Sequence, residues 1–257
     1  MYLDALDLRQ FYCTPLGRAA RQSIGKKIDQ IWTNIEGETI LGLGYPTPYL
    51  RMLRSKKARL LGMMPAQQGA IFWPNNGPNA TALIHDDALP FTDSSIDKMI
   101  IVHAVEMSEN ATLLLREAWR VLAPGGRLIM VVPNRRGLWA RADASPFGYG
   151  RPFSRRQIQV LLREAQLSPT IWSKALFFAP IRKQLWIGST RTWDNIGSRL
   201  WPGAAGVVIV EATKLMHRAI PVAHRSKIGQ VLGPVLVPAP SPIPRTGNPS
   251  MVLPAGQ

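Results

Sequence analysis

Cysteine, histidine and acidic residues are scarce in this 257-residue chain. The single cysteine, Cys13, leaves no intrachain disulfide to form and no thiolate cluster to hold zinc or iron–sulfur. The four histidines, His85, His103, His217 and His224, are scattered without metal-ligand spacing, so no metal site is expected. No Gly-x-Ser-x-Gly elbow or phosphate-loop lysine occurs. No stretch approaches the ~18–20 uninterrupted apolar residues of a membrane helix. The richest, GAAGVVIV, spans Gly203–Val210. The opening MYLDALDLRQFY carries two acids in its first seven residues and has no apolar run, unlike a secretory leader. A reducing, cytoplasmic setting is the expectation. Asp and Glu number 16 against 31 Lys and Arg, a formal charge of +15. That imbalance on its own suggests nucleic acid, an anionic membrane surface or an acidic partner.

What is present is core material. The chain is 46% hydrophobic and 18% charged, which argues against a disordered polycation. In Pro15–Trp32, Leu16, Ala20, Ile24, Ile28 and Ile31 recur at spacings of three and four, with arginines and lysines between them. This predicts an amphipathic helix. Further on, strands are predicted over Thr39–Leu43, Ala58–Met64, Ala82–His85, Lys98–Ala104, Arg127–Val132 and Gly206–Thr213. Helices are predicted over Thr47–Ser55, Ala111–Leu122 and Arg155–Gln166, with Pro124-Gly125-Gly126 stopping the second and Ser154 capping the third. Strands alternating with helices predict a doubly wound α/β domain with a mostly parallel sheet and helices on both faces. From Lys214 onward there is no acid, and eight of the 22 prolines lie between Pro221 and Pro254. The expected division is a domain over 1–217 and a basic, proline-rich, disordered tail over 218–257.

In open parallel sheets, ligands bind beyond the carboxyl ends of the strands, near the point where strand order reverses. The turn after the first predicted strand reads Gly42-Leu43-Gly44-Tyr45-Pro46-Thr47-Pro48. Downstream come His85-Asp86-Asp87-Ala88-Leu89-Pro90-Phe91-Thr92-Asp93-Ser94-Ser95-Ile96-Asp97 and Arg116-Glu117-Ala118-Trp119-Arg120-Val121-Leu122-Ala123-Pro124-Gly125-Gly126-Arg127-Leu128. Together these blocks resemble the class I S-adenosylmethionine-dependent methyltransferases, in the branch of small-molecule enzymes (type 11-like) with the runs DAxxLPFxDxSFD and REAxRVLxPGGxL. The resemblance covers roughly Phe11 to Thr213 and implies a seven-stranded Rossmann-like sheet. It implies that Gly42, Leu43, Gly44 and Tyr45 approach the methionine end of S-adenosylmethionine. Asp86, or less favourably Asp87, would accept from the adenine amino group, with Ala88 and Leu89 against the ring. Met64 stands where the family places its ribose-binding acid. His103, closing the fourth strand, would face the sulfonium or the substrate and is the one catalytic candidate, with Glu106 to orient it. Glu117 and Arg120, at i and i+3, are expected to form a structural ion pair.

Departures from the family pattern cluster at one place. Gly42 replaces an acid at the end of the first strand, Pro46 and Pro48 replace two glycines, and Met64 replaces the ribose acid. Two other regions are rich in cations and aromatics. The loop Pro133–Phe153 carries Arg135, Arg136, Arg141 and Arg151 beside Trp139, Phe147, Tyr149 and Phe153. The segment Arg182–Trp201, predicted helical, carries Trp186, Trp193 and Trp201. The leading expectation is a methyltransferase-like protein acting on a small molecule by direct attack on the sulfonium methyl, where the protein contributes mainly positioning. The alternative is a catalytically silent relative that binds or regulates a protein partner through its Trp- and Arg-rich surfaces. Nucleic acid is disfavoured because the charge is spread rather than gathered in a recognisable motif.

Overall fold

A computed structural model describes residues 2–142, 145–180 and 204–215. The expected tail over 218–257 and the tryptophan segment 182–201 lie outside them. The elements run α1 (Ala5–Cys13), α2 (Pro15–Ile31), β1 (Thr39–Gly44), α3 (Thr47–Leu53), β2 (Arg59–Pro65), β3 (Thr81–Ile84), β4 (Ile96–Val102), α4 (Ala111–Val121), β5 (Leu122–Pro133), α5 (Arg155–Glu164), β6 (Leu167–Ala175) and β7 (Val207–Lys214).

The seven strands form one sheet in the order β3-β2-β1-β4-β5-β7-β6. All pairs are parallel except those of β7, which runs antiparallel to both β5 and β6. The order reverses between β1 and β4, the switch point where this architecture opens a crevice. Successive strand residues point to opposite faces. Accordingly Ile100 and Val102 of β4 join the core under α1–α3, while Met99 and Ile101 join the core under α4 and α5.

Local sequence explains the helix ends. Thr14 caps α2 by accepting from the Gly17 amide, with Pro15 at the first helical position. Ser154 caps α5 in a reciprocal capping box with Gln157. Asn110 caps α4. Pro124-Gly125-Gly126 does not end α4 as predicted, because the helix stops at Val121 and the three residues lie inside β5. They form an irregularity there: pairing steps from Ile96–Leu122 to Lys98–Arg127, and Gly125 sits at φ 70°.

The ion pair expected within α4 has a wider role. Arg120 meets both Glu117 oxygens at 2.9 Å and Asp93 at 2.7 Å, and donates to the Phe91 and Leu89 carbonyls. Glu117 also accepts from the Leu89 amide. The two downstream motifs are therefore clamped to each other by charge-assisted hydrogen bonds. Arg120 beside it holds the Glu117 carboxyl below its ordinary value.

Candidate functional site

The end of β1 is tight because its glycines, Gly42 and Gly44, pack on the chain itself. Gly44 has φ 89°, and a Cβ there would lie 2.2 Å from the Val102 carbonyl of β4. A Cβ on Gly42 would lie 2.3 Å from the Pro46 side chain. The Tyr45 amide donates to Val102, and those of Tyr49 and Leu50 donate to Pro46. Pro46 and Pro48 have no amide hydrogen. Within residues 45–50, only the Thr47 amide is left without a partner among the described residues.

Above this turn sits a closed aromatic cluster. Tyr12 of α1 stacks on Tyr45, with ring centroids 5.8 Å apart and planes within 12°. Its hydroxyl lies 3.1 Å from that of Tyr49 and 2.9 Å from His103 Nε2. Phe147 packs on His103 at 4.8 Å, and Trp139 packs on Phe147. Tyr12, Tyr45, Tyr49, Met64, His103, Trp139 and Phe147 are all buried. Burial pushes Tyr45 up to about 12 and raises Tyr12 and Tyr49 well above the ordinary tyrosine value.

His103 closes β4 with φ 53°, a left-handed conformation that costs free energy for a side chain of this size. Its Nδ1 faces the Glu106 carboxylate at 3.3 Å, and both side chains are fully enclosed. Neither carboxylate oxygen of Glu106 has a hydrogen-bond partner. Burying such a group is costly, and native proteins seldom leave it unpaired.

The ten residues that the sequence singled out therefore separate. Gly42, Gly44, Tyr45, Met64 and His103 lie buried at the β1, β2 and β4 ends, in and around the aromatic cluster. Leu43 and Leu89 pack into the core on the opposite face of the sheet. Ala88 is an exposed turn residue bridged to His85. Asp86 and Asp87 line a surface cavity of about 300 Å³ together with Tyr2, His85 and Ser108. Asp86 accepts a hydrogen bond from the Tyr2 hydroxyl. Counting back from Leu89, the acid of the DAxxLPF run falls on His85, one position before Asp86.

Sequence reading missed α1 as the cover of this turn. Its signal, Ala5, Leu8 and Tyr12 on one face, is only nine residues long. The aromatics of the loop after β5 also take a different place from the one their interleaving suggested. Trp139, Phe147 and Phe153 are core residues, with the Trp139 indole donating to the Phe178 carbonyl at 2.6 Å. Its arginines and Tyr149 stay exposed.

These residues do not fit S-adenosylmethionine as the resemblance would have it held. A ribose diol needs an acceptor where Met64 is buried. A methionine carboxylate needs open amides where the turn has used or lost nearly all of its own. A Cβ on Gly42 or Gly44 would meet Pro46, Leu50, Val102 and Ala104, and Tyr12 packs on Tyr45, the next residue along. Asp86 and Asp87, where the resemblance would put the adenine, line a surface cavity with Glu109.

Residues 41–130 match the family model described as "Methyltransferase domain". No curated protein sequence matches the chain. Solved structures do. An S-adenosylmethionine-dependent methyltransferase from Thermotoga maritima aligns at 17% identity over 81% of this chain and 95% of its own, with a TM-score of 0.55. Geranyl diphosphate C-methyltransferase from Streptomyces coelicolor, solved with S-adenosyl-L-homocysteine, aligns at 14% identity over 74% and 76%, TM-score 0.53. The [4+2]-cyclase SpnF aligns at 17% identity over 76% and 80%, TM-score 0.52. Residues 41–130 thus match a methyltransferase-domain model, and the described chain has the fold of the class I S-adenosylmethionine-dependent methyltransferases.

Proposed function

We propose that this chain is a methyltransferase-fold protein that works by binding rather than by methyl transfer, without S-adenosylmethionine at the fold's usual site. The observation that carries this reading is the buried contact of Tyr12 with Tyr45, Tyr49 and His103, the residues that follow β1 and β4 where the resemblance would put a cofactor's methionine end. The two missing acids point the same way, each absent charge-assisted acceptor leaving a polar ligand group short by about 1.5–3 kcal/mol. A fold does not dictate a reaction, and a relative in fold that is named as a cyclase accords with that.

A melting experiment tests the reading. A cofactor present at a thousandfold its Kd stabilises by about 4 kcal/mol, worth roughly 8–16 °C in a domain of this size. The expected result is an unchanged melting temperature with millimolar S-adenosylmethionine, and a rise of that size overturns the reading.

A second reading, a methyltransferase acting on a small molecule, is favoured by one specific feature. The enclosed Tyr12–His103–Glu106 series places beyond β4 an imidazole and, 3.3 Å from its Nδ1, a carboxylate that accepts no hydrogen bond among the described residues, and Asp86 and Asp87 remain at the end of β3. Under this reading α1 has to leave the site before a cofactor enters, so removing the Tyr12 ring would raise cofactor affinity.

A further inference from the structure

Beyond the closed cluster, a cavity of about 490 Å³ lies between the segment entering α4, the loop after β5 and α5. That volume is within the range of small-molecule sites. We propose that this cavity binds the anionic group of a small molecule, a carboxylate or a phosphate, through Arg135 and Arg151.

The two arginines come from opposite ends of the loop, and each is fixed at its backbone. The Arg135 amide donates to the Phe153 carbonyl at 3.1 Å, and the Arg151 amide donates to the Glu106 carbonyl at 2.7 Å. Gly150 holds the second attachment close: it has φ 77°, and a Cβ there would lie 2.4 Å from the Glu106 oxygen. The pinned backbones bring two cations to the edge of one cavity, where both side chains remain open to an incoming anion.

Their guanidinium groups are unused. Arg120 spends its donors on two carboxylates and two carbonyls, whereas neither Arg135 nor Arg151 makes a side-chain hydrogen bond or ion pair among the described residues. Glu109 lines the same cavity and pairs with neither. Ten N–H donors from two planar forks suit the bidentate acceptance offered by carboxylate and phosphate oxygens. The inference holds whether or not the chain binds S-adenosylmethionine.

The test uses the full chain at physiological ionic strength, titrated calorimetrically with pyrophosphate and, separately, with succinate. Binding is expected to be saturable for at least one, and to weaken about tenfold or more in Arg135→Gln/Arg151→Gln. A second double variant, Arg51→Gln/Arg59→Gln, removes the same charge from exposed positions that do not line the cavity and is expected to bind as the parent does. Saturation by pyrophosphate alone assigns a phosphate ligand, and by succinate alone a carboxylate. No saturable binding by either, or equal weakening in both double variants, overturns the proposal. Equal melting temperatures of the variants without ligand show that neither result comes from misfolding.

Discussion

Tyr12 lies flat on Tyr45 over the glycine turn, its hydroxyl shared between Tyr49 and His103. The contact joins the N-terminal helix to the carboxyl ends of β1 and β4, the part of a doubly wound sheet that usually stays open for ligand. Aromatic pairs in this arrangement gain about 0.5–1.5 kcal/mol beyond the area they bury. The stack is therefore part of the core of this protein as well as the cover of its crevice.

Alkaline pH should attack this cluster. Burial favours the neutral phenol, so Tyr45 rises from its ordinary value near 10 to about 12, with Tyr12 and Tyr49 also raised. A raised folded-state pKa means that the native protein holds protons the unfolded chain has lost. The stabilisation is complete below about pH 10 and falls as pH climbs toward 12. Phenolate absorbance followed with circular dichroism should show these tyrosines ionising together with unfolding. Independent titration near pH 10 in a folded protein would contradict their burial.

Trp32 and Glu211 make a second buried tie. The indole donates to Glu211 at 3.0 Å, and Thr170 donates to the other carboxylate oxygen at 2.9 Å. Trp32→Phe keeps most of the ring and leaves that oxygen short of a donor. A loss of about 1–3 kcal/mol is expected by denaturant unfolding. By contrast, the exposed Lys57–Glu36 pair predicts less than about 0.5 kcal/mol for Glu36→Gln.

Arg120→Lys should be a severe change despite keeping the charge. One ammonium cannot span Glu117, Asp93 and the carbonyls of Phe91 and Leu89 together. Destabilisation of about 1–3 kcal/mol is expected, with faster hydrogen exchange across residues 89–93. Parent-like exchange there would show that the clamp is not holding that segment.

Gly44→Ala tests the turn directly. The alanine would need φ near 89° with its methyl 2.2 Å from the Val102 carbonyl. Strain of this kind belongs to the short list of large single-residue effects, about 4 kcal/mol or more. Gly37→Ala, also at positive φ but with open space around the Cβ, should cost only about 1–2 kcal/mol.

Much of the fold is legible in the sequence because its strands and helices have clean periods. The boundaries of α2, β1, β2, α4 and β7 fall within about two residues of the pattern. The clamp motifs also identify the family of folds without any structure. What periodicity could not show is how α1 and the loop after β5 would pack. Tyr12, Tyr49, Trp139 and Phe147 each sit in segments where an aromatic serves equally well as core or as contact surface. Only the fold decides, by linking all four in one buried series of ring contacts through Tyr12, His103 and Phe147. The missing acids at Gly42 and Met64 were visible as residues, and the structure adds what stands in their place.

The central claim is that the crevice is closed by its own side chains. Calorimetric titration of the full chain with S-adenosylmethionine tests it most directly. No binding heat is expected at millimolar cofactor, whereas saturable binding with a micromolar Kd to the parent protein would show the crevice to be open to it.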